Sequence, residues 1–223
     1  MTLVRRAVAE LVGTAFLVMA VIGSGVMATR LSPDDVGLQL LQNSIATGAV
    51  LVALILALQP VSASFNPVVT LVEAARGRVP VGEVVPLITA QLVGGVAGAI
   101  VANLMFELGA VSIATTERTG SGVWLAELVA TVGLVLVVTG SLRSGRPETV
   151  AFAVGGYIAA AYWFTSSTSF ANPAVTVARM LSDSFAGIAP GSVPMFLLMQ
   201  LAGGAVAFAL VRLLHPESPE VTS

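Results

Sequence analysis

Residues 62–70 read SASFNPVVT and residues 167–176 read STSFANPAVT. Each stretch sets an Asn-Pro pair, Asn66-Pro67 or Asn172-Pro173, ahead of a short apolar run that ends near Ala75 in one case and Leu181 in the other. Asn is a favoured N-cap, and Pro is favoured at the first helical position because the N–H it lacks has no helical partner there. Asn66 and Asn172 are therefore expected to cap two helices too short to cross a bilayer. Short, proline-started apolar segments at matching places in two halves of a chain mark discontinuous membrane helices at a permeation or binding site.

The flanking sequence matches as well. AELVGT (9–14) recurs as AELVAT (126–131), and QLVGGVAG (91–98) recurs as QLAGGAVA (200–207). The three blocks keep their order at offsets of 117, 106 and 109 residues. Around them, six segments are long and apolar enough to span: 7–28, 37–58, 84–106, 123–141, 149–165 and 193–214. The first could be read as a leader peptide, but the apolar stretch from Ala7 to Ala28 is of spanning length and belongs to the repeat. Each half holds three spans, so the second enters the membrane from the opposite side. The expectation is an all-α membrane protein, residues 1–223 forming one domain, built as an inverted repeat of six transmembrane helices plus two half-helices.

Composition agrees. The chain is 56% hydrophobic and 10% charged, against about 25% charged in soluble domains. Its basic residues are all Arg and form no run, and the net charge is −2, which argues against a nucleic-acid partner. Cysteine is absent and the sole histidine, His215, sits in the polar tail HPESPEVTS. No catalytic residues, metal site or cofactor are expected. Arg5, Arg6, Arg76, Arg78, Arg143, Arg146 and Arg212 fall on one side, Arg30, Arg118 and Arg179 on the other. That asymmetry predicts both termini in the cytoplasm.

The chemistry follows from the repeat. Two half-helix N-termini meeting near the midplane bring partial positive charges that oppose any cation, including a proton on a water chain. Lumen-facing amides of Asn66 and Asn172 would donate hydrogen bonds. The extended backbone ahead of each, residues 62–65 and 167–171, would present carbonyl acceptors. Such backbone is tolerated at membrane depth only where it is buried or lines a wet cavity. Donors beside acceptors in a narrow apolar tube suit small neutral hydroxylated solutes. Glu10 and Glu127 lie inside spans, where a carboxylate is costly and needs partners. Each is expected to accept backbone N–H bonds from the irregular segment of its own half. A proton relay is the alternative role. The GGVAGA and GGAVAFA stretches read as close-packing helix faces.

From about residue 7 to residue 214 the chain resembles the aquaporins, or major intrinsic proteins, through the repeated glutamate-bearing starts, SFNPVVT with SFANPAVT, and the two QLxGG segments. The resemblance implies one pore per subunit and a homotetramer in the inner (plasma) membrane. The pore motifs would be Asn66, Pro67, Val68 and Asn172, Pro173, Ala174, the first departing from the usual Asn-Pro-Ala. Ser64 stands where the family often has His. Most consequentially, Val175 stands where the family usually has the filter Arg, with Arg179 one turn further on and expected to face elsewhere. Counting from the motifs, the other filter positions fall at Ala46 (with Thr47 its neighbour), Ala160 and Ser169. This set implies a wide, weakly polar opening without a fixed positive charge, poor discrimination and some proton leak. A Val in place of the Arg resembles bacterial aquaglyceroporins of arsenic-resistance operons, which implies arsenous acid and other metalloid hydroxides, glycerol-like polyols and water as solutes. The alternatives are a water-selective channel and a proton-coupled secondary transporter.

Overall fold

The computed structural model describes residues 1–214, so the tail with His215 lies outside the described residues. It contains eight α-helices in the order α1 (Leu3–Leu31), α2 (Val36–Leu58), α3 (Pro67–Ala75), α4 (Val81–Met105), α5 (Ser121–Arg143), α6 (Val150–Phe164), α7 (Pro173–Arg179) and α8 (Val193–Leu214). Among the described residues there is no strand.

Helix ends follow local chemistry. Asp35 Oδ1 accepts from Leu38 N–H at 2.8 Å and starts α2, which stops one residue short of the Gln59-Pro60 pair. Asn66 and Asn172 cap α3 and α7 with Pro67 and Pro173 at the first position, as their sequence demands. Five helices are long and apolar enough to cross a membrane. The sixth expected span, 149–165, is shorter: α6 holds 15 residues, preceded by a 3-10 turn at Pro147–Thr149. At 1.5 Å per residue it is about 22 Å long. Pro147 sets its start and the extended conformation of Thr165 sets its end.

The packing repeats across the two halves. α1 lies mainly on α4 and α2, α5 lies on α8 and α6, and the halves join through α2 and α6. α3 packs on α4 and α8, and α7 on α8 and α4, so each half-helix touches the last long helix of both repeats. Close approach depends on glycine. A Cβ on Gly94 or Gly98 would sit 2.2 or 2.3 Å from the Leu11 or Ala15 carbonyl of α1, and one on Gly203 would sit 2.8 Å from the Leu128 carbonyl of α5. Where α2 meets α6, Gly48 and Gly155 face each other's carbonyls in the same way.

The outer surface is apolar. On α1 the residues Val4, Val8, Val12 and Phe16 are exposed at a spacing of four, one apolar stripe on the outside of the bundle. The central core, with Val18, Ile22, Phe65 and Ala171, closes around the two extended segments. Below, the face where α1 begins is called proximal and the face where it ends distal.

Candidate permeation site

The site is built on two buried carboxylates. Glu10 accepts from Ser62 Oγ (2.5 Å), Ser64 N–H (2.9 Å), Phe65 N–H (2.7 Å) and Gln91 Nε2 (2.8 Å). Glu127 accepts from Phe170 N–H (2.8 Å), Ala171 N–H (2.9 Å) and Gln200 Nε2 (2.7 Å). Each glutamine in turn bonds a half-helix threonine, Gln91 to Thr70 at 2.9 Å and Gln200 to Thr176 at 2.8 Å. The segments so held are strained. Phe65 (φ 48°), Thr168 (φ 62°), Ser169 (φ 50°) and Ala171 (φ 46°) occupy the left-handed region, at a cost of about 1–3 kcal/mol each. Charge-assisted bonds to backbone N–H groups, roughly twice as strong as neutral ones, offset that cost. Gln91 and Gln200 stand in the QLxGG repeats, whose sequence gives the glycines a packing role and the glutamines none.

The two asparagines tie the halves together. Asn66 Nδ2 donates to the Ala171 carbonyl and Asn172 Nδ2 donates to the Phe65 carbonyl, both at 2.7 Å. Their oxygens cap the half-helices, Asn66 Oδ1 taking Val68 N–H (3.0 Å) and Asn172 Oδ1 taking Ala174 N–H (3.0 Å) and Val175 N–H (3.3 Å). An amide nitrogen carries two N–H groups, so each Asn keeps one for the lumen. The left-handed turns at Phe65 and Ala171 point those carbonyls across the repeat boundary.

Asn66 and Asn172 flank a cavity of about 250 Å³. Its walls are mostly aliphatic, from Leu17, Val21, Leu51 and Ile55 on one side to Leu134, Val138, Val154 and Ile158 on the other. Gln59, Glu73, Arg78 and Leu142 line its proximal end, and Thr47, Tyr162, Ser169, Phe170, Val175 and Arg179 its distal end. Thr47 Oγ1 and Tyr162 Oη are 3.1 Å apart, and Ser169 Oγ is buried with no hydrogen-bond partner. Around the distal end, burial lowers the proton affinity of the Arg118 guanidinium, against the opposing influence of Tyr162 and Glu127. Among the described residues no cluster of His, Cys, Asp or Glu could hold a metal ion.

A family model described as "Major intrinsic protein" matches residues 1–149. The chain belongs to the major intrinsic protein family. It is 49% identical over 219 residues to aquaglyceroporin AqpS of Rhizobium meliloti (strain 1021), covering 97% of this chain and 93% of that one. It is 30% identical over 227 residues to aquaporin Z of Rhodopseudomonas palustris, covering 94% and 92%. The fold is shared with a crystal structure of the aquaglyceroporin from Plasmodium falciparum, with a TM-score of 0.74 at 16% identity, covering 96% and 98% of the two chains. As a major intrinsic protein, the chain is a membrane channel for small neutral solutes and not an enzyme.

In this channel several residues sit where the sequence did not put them. Ala160 is exposed on the outside of α6, and the lumen is lined by Ile158 and Tyr162 on either side of it. A displacement of two residues turns a side chain by about 200°, from the lumen to the outer surface. Ala46 likewise stands beside the lumen-facing ladder Thr47, Leu51 and Ile55, rotated from it by about 100°. Within the Asn-Pro motifs only the asparagines face the cavity. Val68 packs against Gly204 of α8, and the Ala174 carbonyl lies against Gly95 of α4. Pro67 and Pro173 do not line the lumen either. Ser169 and Val175 do. So does Arg179, which was expected to face elsewhere. At a spacing of four it shares a helix stripe with Val175, and helical side chains lean toward the N-terminus, which brings it back over that residue.

Proposed function

We propose that the chain is a passive channel of broad selectivity, conducting glycerol-like polyols, arsenous acid and other metalloid hydroxides, and water. The carrying observation is Val175, an aliphatic side chain in the distal cavity wall where the family usually holds an Arg. A short side chain there leaves room for solutes wider than water. The opposing groups are the Thr47 and Tyr162 hydroxyls and the unpartnered Ser169 Oγ. Such groups exchange hydrogen bonds with hydroxylated solutes and hold no charge that would bind them tightly. The relation to an aquaglyceroporin at 49% identity supports the same reading.

Asn66 and Asn172 supply the central donors, one free N–H each, and Glu10 and Glu127 act as scaffold. Both oxygens of each carboxylate are engaged by N–H donors, which favours that role over a proton relay and so favours a channel over a coupled transporter. Residues 1–223 form one channel domain, four copies assemble in the plasma membrane, and both termini face the cytoplasm, so the distal end is the outer mouth. No cofactor takes part.

Stopped-flow light scattering on proteoliposomes tests the reading, with water, glycerol and arsenous acid run against empty liposomes. Glycerol and arsenous acid passage well above the empty control is the expected result. Passage of water alone would make the chain a water-selective channel.

A further inference from the structure

The two half-helices carry opposite charges at equivalent places. Seven residues after Asn66 stands Glu73, and seven residues after Asn172 stands Arg179. Both line the cavity, one toward each mouth. Glu73 is neutralised: its oxygens pair with Arg76 Nη1 at 2.7 Å and Arg78 Nη1 at 3.3 Å. Arg179 is not. It is 2% exposed, and among the described residues it joins no ion pair.

What holds Arg179 is neutral. Its Nε donates to the Ala186 carbonyl, and its guanidinium carbon lies 3.4 Å from the centre of the Phe170 ring. A second cation stands at the same ring, the Arg118 guanidinium at 5.1 Å. Arg118 donates to the Gly187 carbonyl at 2.9 Å and the Phe185 carbonyl at 3.3 Å. Two arginines thus take three consecutive carbonyls and fasten the 185–187 segment. The Nη groups of Arg179 find no acceptor among the described residues, while its stem shares a stripe with Val175 and the unpartnered Ser169 Oγ lines the same space. An unneutralised buried cation is costly, and in a membrane it marks a function at its position.

We propose that Arg179 is the charge-selecting residue of the distal constriction, one helical turn outward of the residue that sets its width. On this reading, which rests on the channel assignment above, Val175 decides how large a solute passes and Arg179 decides that it is not a cation. An arginine at position 175 would impose both conditions at once. Separating them lets a wide lumen keep a fixed positive charge. The free Nη donors and Ser169 Oγ then form the polar contact for the oxygen of a passing neutral solute. The solute class so favoured is uncharged molecules with an acceptor oxygen on a bulky centre. Small cations of similar size are excluded.

The test uses full-length channel in proteoliposomes with the membrane voltage clamped by potassium and valinomycin. Uptake of guanidinium ion, a planar cation that stays charged at all working pH values, is read beside glycerol flux on the same vesicles. Wild type is expected to pass glycerol and hold guanidinium at the empty-liposome level. Arg179→Gln is expected to raise the ratio of guanidinium uptake to glycerol flux by about tenfold or more, with glycerol flux itself reduced but still above the empty-liposome level, and Arg179→Lys to keep the exclusion. Arg179→His supplies a readout that a merely structural role would not move. Guanidinium uptake is expected to be low near about pH 5.5 and to rise reversibly by about pH 8, as the imidazole loses its charge. Wild-type exclusion in a glycerol-conducting Arg179→Gln, or an Arg179→His channel whose uptake does not respond to pH, would overturn the proposal. Should Arg179→Gln fail to fold, the His variant decides alone. Absence of glycerol flux in wild type would instead sink the channel reading on which the proposal rests.

Discussion

The proximal and distal halves of the lumen are alike at the centre and unlike at the mouths. At the centre the match is almost atom for atom. A glutamate from the first long helix of each half takes two consecutive or near-consecutive backbone N–H groups, a glutamine from the last long helix joins it, and that glutamine also bonds a half-helix threonine. At the mouths, Glu73 sits within a cluster of arginines, whereas Arg179 has only an aromatic ring and a carbonyl. The inverted repeat therefore divides the work. Symmetry is kept where two strained segments must be held against each other, and it is abandoned where the channel meets its solutes.

The largest expected effect comes from breaking the symmetric part. Glu127→Leu leaves the Phe170 and Ala171 N–H groups and Gln200 Nε2 without their acceptor, and Glu10→Leu does the same to Ser64, Phe65 and Gln91. Each is expected to cost about 1–3 kcal/mol for every buried donor left unpaired, read as a fall in the thermal midpoint in detergent with loss of glycerol flux. Glu10 also holds Ser62, so its loss is expected to be the greater. Equal stability of either variant with wild type would remove the scaffold role.

A smaller break lies in the helix contacts. Gly94→Ala drives a Cβ to 2.2 Å from the Leu11 carbonyl, whereas Gly203→Ala meets the Leu128 carbonyl at 2.8 Å. Overpacking of this kind costs about 1–3 kcal/mol, and the first substitution is expected to lower the thermal midpoint more than the second. The reverse order would mean that the first repeat is the looser of the two.

The smallest expected effect concerns the hydroxyl pair. Tyr162→Phe removes the 3.1 Å contact with Thr47 Oγ1 at the distal end. A single neutral hydrogen bond is worth about 1 kcal/mol, so a change of a few-fold in glycerol flux with unchanged water flux is expected. No change in either would show that solutes do not touch this pair.

Much of this was legible in the sequence. The Asn-Pro pairs fixed both half-helices to within two residues of their observed ends, because capping and proline chemistry are local. Glu10 and Glu127 could be assigned partners because a carboxylate at that depth must have them. What failed was angular position. Ala46 and Ala160 were placed by counting from a distant motif, and an error of one or two residues rotates a helical side chain out of the lumen. Arg179 failed for the opposite reason. Its spacing of four from Val175 places it on the same stripe, and the lean of helical side chains toward the N-terminus brings it back over that residue. Gln91 and Gln200 carry no local signal, since a glutamine next to a glycine pair reads as packing until the carboxylate it meets is seen.

Val175 sets the width of the pathway in the proposed channel. The glycerol-to-water permeability ratio of Val175→Arg against wild type, measured by stopped-flow light scattering on proteoliposomes, tests it most directly. The expected result is a fall in the ratio of about tenfold or more, with water passage at least partly kept, since one long side chain would close the gap to all but the smallest solute. An unchanged ratio, or equal loss of both fluxes, would show that residue 175 does not line the constriction.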